Sequence, residues 1–87
     1  MKQKLDSTKL AVIARAPFHI YYEGPAQSVS ATNLIGRFDI LPGHADFFSV
    51  MSAGEVIIEN DADAVSFPIT NGIVCVRDDE VMLFVDI

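Results

Sequence analysis

The sequence has 87 residues, of which 51% are hydrophobic, and a formal net charge of −6, which together describe one small, apolar and acidic domain. The negative charge disfavours binding to nucleic acid or direct insertion into lipid, and no apolar run reaches the roughly 20 residues that span a bilayer. A domain of this size hides only part of so much apolar surface, so we expect either a dense core rich in Val and Ile or an interface with a partner.

Residues 1–8 are polar and show no periodicity, which predicts a flexible N-terminal leader ahead of a single domain at 9–87. The leader lacks the apolar segment of a secretory signal. The single cysteine, Cys75, excludes an intrachain disulfide and a metal site built from several cysteines, and its apolar neighbours predict that it is buried. A cytosolic location is the simplest expectation.

Short apolar segments alternate with turn-forming residues and predict nine to ten strands. In chain order the predicted strands are 9–15, 18–23, 26–31, 36–40, 46–51, 55–59, 64–69, 72–77 and 80–86. Turns are expected at Pro17, Gly24-Pro25, Pro42-Gly43, Asp78-Asp79 and Asn71-Gly72, the last being a strong hairpin signal. No segment has a helical period. This spacing is typical of an all-β fold, an antiparallel β-sandwich or a flattened barrel.

The segment 36–45 shows the strand pattern most clearly. Charged and apolar side chains alternate in its first five residues. Phe38 and Ile40 therefore face one side of the strand, and Arg37 and Asp39 face the other. Pro42 and Gly43 then predict a type II turn that fixes the direction in which His44 leaves the sheet.

Three other features carry specific expectations. Phe47 and Phe48 are adjacent on a strand, so one should lie in the core and the other at an edge or interface. Pro68 within a strand predicts an edge or a bulge. Acidic residues are expected at solvated hairpin tips, namely Asp61, Asp63, Asp78 and Asp79.

The loop before residue 36 contains apolar residues that turn chemistry does not require. Thr32 and Asn33 suit a turn, whereas Leu34 and Ile35 either fold back on the core or contact a partner.

Histidine and aspartate supply the candidate metal ligands. His44 and Asp46 are two residues apart and share a face if the strand begins there, and His19 completes a site only if its strand passes nearby. Otherwise His44 caps the turn or lies at a partner surface. No catalytic triad or glycine-rich phosphate loop is present, so the residues call for no cofactor. A small metal-dependent β-barrel enzyme remains the alternative hypothesis.

The run Gly36-x-Phe38-x-Ile40-Leu41-Pro42-Gly43-His44-Ala45 resembles the N-terminal β-domain of the epsilon subunit of F-type ATP synthases, called delta in mitochondria. Segments 17–31 and 67–76 resemble it more weakly, and the resemblance covers the chain from about residue 9 onward. It implies a sandwich of two five-stranded sheets. It also implies a non-catalytic central-stalk subunit that binds the gamma subunit and the c-ring at the cytoplasmic face of the bacterial inner membrane. There it couples proton or sodium translocation to ATP synthesis.

The resemblance implies partner contacts at Thr32, Asn33, Leu34, Ile35, Arg37 and His44. Arg37 stands where the family usually has an acidic residue and Asp39 where it often has glycine, so either the charge pairing with the ring is inverted or the ring contact is lost. A free-standing sandwich that kept only the fold is a third reading. The family continues into a two-helix hairpin that can inhibit ATP hydrolysis. The 87 residues end at Ile87 after the last predicted strand, so we expect neither inhibition nor a nucleotide site in them.

Overall fold

A computed structural model describes residues 8–61 and 63–87. The predicted leader lies outside the described residues except for Thr8, which is exposed. The described residues form nine strands: β1 (Leu10–Ala16), β2 (His19–Ala26), β3 (Ser28–Thr32), β4 (Arg37–Ile40), β5 (Phe47–Met51), β6 (Gly54–Asn60), β7 (Asp63–Ile69), β8 (Asn71–Arg77) and β9 (Glu80–Asp86). The described part of the chain contains no helix that is able to cross a membrane.

The strands form two sheets, which we call sheet A and sheet B. Sheet A has the order β2-β1-β9-β8-β5 and sheet B the order β4-β3-β6-β7. All pairs are antiparallel except β1 and β9, which run parallel. The all-β prediction is confirmed, and of the two predicted arrangements the sandwich is observed. The described part of sheet B has four strands, where the resemblance implied five.

The core lies between the sheets and is built from alternate residues of each strand. Side chains with less than 2% exposure include Leu10, Val29, Ile40, Met51, Val56, Ile58, Val74, Val76, Val81 and Leu83. Aromatic pairs close the two open sides of the sandwich. Tyr21 of β2 stacks on Phe67 of β7 with ring centroids 4.9 Å apart, and Phe38 of β4 packs on Phe47 of β5 at 5.5 Å.

Two predicted turns are wrong. Gly24 and Pro25 lie within β2, opposite Val12 and Ala11. Because β2 is an edge strand, proline can sit there without removing a hydrogen bond to a neighbouring strand. The chain turns instead at Gln27, between β2 and β3.

The Asn71-Gly72 hairpin is also absent, because β7 belongs to sheet B and β8 to sheet A. Thr70 therefore crosses between the sheets. Glycine is needed at position 72 for a different reason: a Cβ there would lie 2.4 Å from the carbonyl oxygen of Phe84. Glycine at position 72 therefore indicates a close approach of two backbone segments and not a tight turn.

Other expectations are confirmed. Pro68 lies on β7, an edge strand of sheet B. Phe47 packs against the core, whereas Phe48 is exposed. The expected burial of Cys75 is wrong, because it alternates with the buried Val74 and Val76 and so faces outward from sheet A.

Candidate functional site

The β3–β4 hairpin ends in a two-residue tip. Asn33 and Gly36 exchange both backbone hydrogen bonds, at 2.9 and 3.1 Å, which leaves Leu34 and Ile35 between them. Neither tip residue has a positive φ. We call residues 33–36 the loop tip.

The side chain of Asn33 holds this loop in place. Its Oδ1 accepts hydrogen bonds from the backbone N–H groups of Ile35 at 2.9 Å and Gly36 at 3.2 Å. Its Nδ2 donates to the hydroxyl of Ser49 in β5 at 3.2 Å. One amide therefore shapes the turn from within and ties it to the neighbouring sheet, which explains why asparagine suits this position.

The loop tip presents its apolar side chains to solvent. Leu34 is 94% exposed and Ile35 is 97% exposed. Of the two alternatives that the sequence left open, folding back on the core is therefore wrong. Large apolar side chains held this far from the core on a braced turn are available for contact with another molecule.

The charges beside the loop tip are paired within the chain. Arg37 and Asp39 are both exposed, and Nε of Arg37 lies 3.5 Å from Oδ1 of Asp39. Ser30 of β3 lies directly opposite Asp39. A hydrogen bond from Ser30 lowers the pKa of the Asp39 carboxyl, burial opposes this shift, and the charge of Arg37 lowers the pKa further.

His44 follows the predicted type II turn. Its backbone N–H donates to the carbonyl of Leu41 at 3.0 Å, and Gly43 has φ of +86°, as the third position of this turn requires. His44 is half-buried, with Nδ1 of its imidazole lying 2.7 Å from the carbonyl oxygen of Ala45. The edge of the ring packs on Phe47 at a centroid distance of 5.4 Å. His44 thus has a fixed direction while remaining accessible.

The structure brings five of the six predicted contact residues together. Thr32, Asn33, Leu34, Ile35 and Arg37 form one continuous hairpin end. His44 follows the opposite end of β4, a four-residue strand of about 13 Å. The aromatic row Phe38–Phe47–His44 runs between the two. The loop tip and His44 are therefore two points along one side of the domain.

The β8–β9 hairpin tip holds the turn that carries His44. The backbone N–H of Gly43 donates to Oδ1 of Asp79 at 2.8 Å, and that of Asp78 donates to Oδ1 of Asp46 at 3.1 Å. Asp79 is only 5% exposed, so its expected solvation is wrong, whereas Asp61, Asp63 and Asp78 are exposed as expected. We call these two hydrogen bonds the aspartate latch.

The geometry gives the metal hypothesis no support. Among residues 8–61 and 63–87, no three His, Cys, Asp or Glu side chains lie close enough to hold a metal ion. Asp46 instead belongs to the aspartate latch. His19 packs on Tyr21 at 4.4 Å, on the side of the sandwich closed by β2 and β7, whereas His44 lies on the side closed by β4 and β5.

A second surface, which the sequence did not predict, covers the outside of sheet A. One cross-strand row contains Glu23, Ile13, Met82, Cys75 and Phe48, and the next contains Ile20, Arg15, Phe84, Ile73 and Val50. Of these, the exposed apolar side chains are Ile20, Phe48, Val50, Ile73, Met82 and Phe84. We call these two rows the apolar face. The outer face of an antiparallel sheet is usually polar, so this surface differs from that of a typical monomer.

Comparison with known proteins gives a consistent result. The family model described as "ATP synthase, Delta/Epsilon chain, beta-sandwich domain" matches residues 9–87. The ATP synthase epsilon chain of Trichlorobacter lovleyi is 31% identical over 81 residues, which are 93% of this chain and 57% of the relative. That of Geobacter sulfurreducens is 30% identical over 78 residues, 90% of this chain and 56% of the relative.

Two solved structures share the fold. A chain of the Euglena gracilis mitochondrial ATP synthase superposes with a TM-score of 0.83 at 15% identity, over 90% of this chain and 51% of its own length. One from the central stalk and c-ring of the Tetrahymena thermophila mitochondrial ATP synthase gives 0.79 at 20% identity, over 91% and 64%. This chain spans little more than half the length of the relatives that it matches. By its sequence and its β-sandwich, the chain belongs to the delta/epsilon family of ATP synthase chains.

Proposed function

We propose that this chain is a non-catalytic central-stalk subunit of a rotary ATP synthase, which binds the gamma subunit and the c-ring and couples ion translocation to ATP synthesis. The family membership and the observed sandwich support this role. The observation that carries it is the loop tip, where Leu34 and Ile35 are almost fully exposed on a turn braced by Asn33. In a bacterium such a subunit belongs to the peripheral sector, at the cytoplasmic face of the inner membrane.

The loop tip is the proposed ring contact. Full burial of a Leu or Ile side chain contributes about 1.5–3 kcal/mol, from which the costs of association are subtracted. Because Arg37 already pairs with Asp39, the contact does not need an acidic partner on the ring. The proposed contact with the c-ring is therefore apolar. Such a contact is compatible with Arg37 standing where the family usually has an acidic residue.

His44 is the second residue that we propose to contact the c-ring. The type II turn, the aspartate latch and the ring of Phe47 fix the direction of its imidazole. A half-buried imidazole held in this way can make one further hydrogen bond with little loss of conformational entropy.

The apolar face is the proposed gamma contact. Four of the five strands of sheet A contribute its six exposed large apolar side chains. The fifth strand, β1, contributes Arg15 to the second row. A protein partner fits such a surface, whereas the net charge of −6 opposes an anionic membrane. The two partners then occupy different parts of the domain, one at a hairpin end and one on a sheet face.

The test measures binding of the purified chain to the cognate gamma subunit and, separately, to the purified c-ring. We compare wild type with Leu34→Ser/Ile35→Ser and with Val50→Ser/Ile73→Ser. The loop-tip pair is expected to lose the ring and keep gamma, and the sheet-face pair to lose gamma and keep the ring. If wild type, folded by circular dichroism, binds neither partner at micromolar concentration, the chain has kept only the fold and the proposal is wrong.

A further inference from the structure

Arg15 occupies an unexpected place for a charged residue. It points outward from β1 within the second row of the apolar face, with Ile20 of β2 opposite it on one side and Phe84 of β9 on the other. Both neighbours are exposed apolar side chains. A cation with apolar residues directly opposite it in both strand pairs lacks the direct cross-strand charge pair that usually places such residues. The nearest acidic residue on this face of β2 is diagonal to it: Glu23 stands opposite Ile13 and forms no ion pair with Arg15.

Each of the other described cations either forms an ion pair or stands directly opposite an acidic residue. Nζ of Lys9 lies 2.8 Å from Oδ2 of Asp61, and Arg37 pairs with Asp39. Arg77 stands directly opposite Glu80 in the β8–β9 pair. Within the described residues, Arg15 forms no ion pair, although the sequence holds 12 acidic and only 6 basic residues.

Two backbone carbonyls orient the guanidinium of Arg15. Its Nε donates to the carbonyl of Ala16 at 3.3 Å, and its Nη2 donates to that of Pro17 at 3.1 Å. Ala16 is the last residue of β1 and Pro17 follows it in the turn to β2, so the guanidinium is held at one end of the apolar face. A guanidinium has five N–H donors, and these two hydrogen bonds leave others directed to solvent.

A shallow groove of about 350 Å³ is lined in part by Arg15. Its lining includes Arg15, Pro17, Val50, Ile73, Phe84 and Asp86. Asp86 lines the same groove without forming an ion pair with Arg15. The groove therefore offers a partner apolar side chains together with one cation and one carboxylate.

Covering this groove with a purely apolar surface would remove water from a charge that has only carbonyl partners, and burying an unpaired charge is unfavourable. A carboxylate on the partner removes that penalty, because arginine binds carboxylates through two parallel hydrogen bonds. Phosphate is a poorer candidate in a chain with net charge −6.

We propose that Arg15 is the specificity-determining charge of the apolar face, and that the surface seated there is apolar with a carboxylate placed to pair with Arg15. This inference rests on the proposed function, in which the gamma subunit occupies the face. Arg15 then fixes the register of an otherwise non-directional apolar contact, because only one docking position brings the carboxylate to the guanidinium.

The test measures the dissociation constant for the cognate gamma subunit with wild type, Arg15→Lys, Arg15→Gln and Arg15→Glu. Gln and Glu have nearly the same shape, so any difference between those two variants measures charge and not packing. Arg77→Gln and Arg77→Glu are the matched controls, since Arg77 lies on the same side of sheet A opposite Glu80. Asp86→Asn tests whether the groove's own carboxylate serves as the counter-ion.

We expect Arg15→Gln to weaken binding about tenfold, Arg15→Glu to weaken it further and Arg15→Lys to retain part of the affinity. The Arg77 variants and Asp86→Asn are expected to stay within about twofold of wild type. Equal affinity of Arg15→Gln and Arg15→Glu, or an Asp86→Asn loss as large as that of Arg15→Gln, overturns the inference while gamma binding by wild type still supports the proposed function. Failure of wild type to bind gamma overturns both.

Discussion

The carboxylate of Asp79 accepts a 2.8 Å hydrogen bond from the backbone N–H of Gly43, which joins the β8–β9 hairpin tip to the turn that carries His44. Asp79 is 5% exposed, and its carbonyl also accepts a hydrogen bond from the N–H of Ala11 at 2.9 Å. This residue therefore connects three separate parts of the chain. The direction of His44 depends on a residue 35 positions later in the sequence.

Replacing Asp79 tests the aspartate latch. Asp79→Ala removes the charged acceptor of the partly buried hydrogen bond from the N–H of Gly43, and we expect the free energy of unfolding to fall by about 1–3 kcal/mol. Urea denaturation measures this loss. Asp79→Gly separates this loss from backbone strain, because glycine also lacks the carboxylate but adopts the φ of 61° without strain. An unchanged free energy of unfolding for Asp79→Gly would show that the carboxylate of Asp79 does not stabilise the turn.

Asn33 is expected to matter for both stability and ring binding. Asn33→Ala removes three hydrogen bonds from the loop tip, so we expect a loss of about 1–2 kcal/mol in unfolding free energy and weaker binding to the c-ring. Leu34→Ser changes a side chain that touches solvent, so its unfolding free energy should stay within about 0.5 kcal/mol of wild type while ring binding falls. Destabilisation by Leu34→Ser comparable to that of Asn33→Ala would contradict this division of roles.

Phe38 and His44 lie in the same aromatic row but should respond differently. Phe38→Ala truncates a side chain that packs on the core and on Phe47, and because it is half-buried we expect a loss of about 3 kcal/mol. His44→Ala should keep the fold and weaken binding to the c-ring. Thermal unfolding together with ring binding distinguishes the two effects, and a His44→Ala protein that only unfolds would refute the contact role.

The stability contributed by Asp39 should depend on pH. Its folded-state pKa lies below the unfolded-state value of 3.8, chiefly because Ser30 donates a hydrogen bond to the charged carboxylate. The folded state therefore binds this proton less readily than the unfolded state. The contribution is fully present above 3.8 and is lost as the pH falls through the lower, folded-state pKa.

Unfolding measured from pH 7 to pH 2 in wild type and Asp39→Asn checks this effect. The stability advantage of wild type should shrink towards zero at the acidic end, and Ser30→Ala should reduce it at neutral pH. A constant difference between wild type and Asp39→Asn over the whole range would exclude the proposed linkage.

The sequence predicted the strands well because their alternation and turn residues are local signals. It failed where a contact joins distant segments. Nothing near Asp79 shows that the N–H of Gly43 will reach its carboxylate, and nothing near Gly72 shows that the carbonyl of Phe84 lies against it. The local pattern also led to a wrong turn at Pro25, because proline is tolerated within an edge strand and only the order of strands shows that β2 is one.

The apolar face was hidden for a different reason. The run Ile73-Val74-Cys75-Val76 is apolar at every position, so its period does not show which residues face inward. The structure separates them: Val74 and Val76 are buried, while Ile73 and Cys75 face outward. The same ambiguity affects β9, and it concealed most of the apolar face. The sequence identified Leu34 and Ile35 as unusual in a turn but left open whether they fold back on the core, and only the structure shows that they are exposed.

The central claim is tested most directly by mixing the purified chain with the cognate gamma subunit, separating the mixture on a sizing column and weighing the eluted species by native mass spectrometry. The account predicts a one-to-one complex that Val50→Ser/Ile73→Ser abolishes and Leu34→Ser/Ile35→Ser leaves intact. Separate elution of the two folded proteins at micromolar concentration would contradict it, and the apolar face would then require a different occupant.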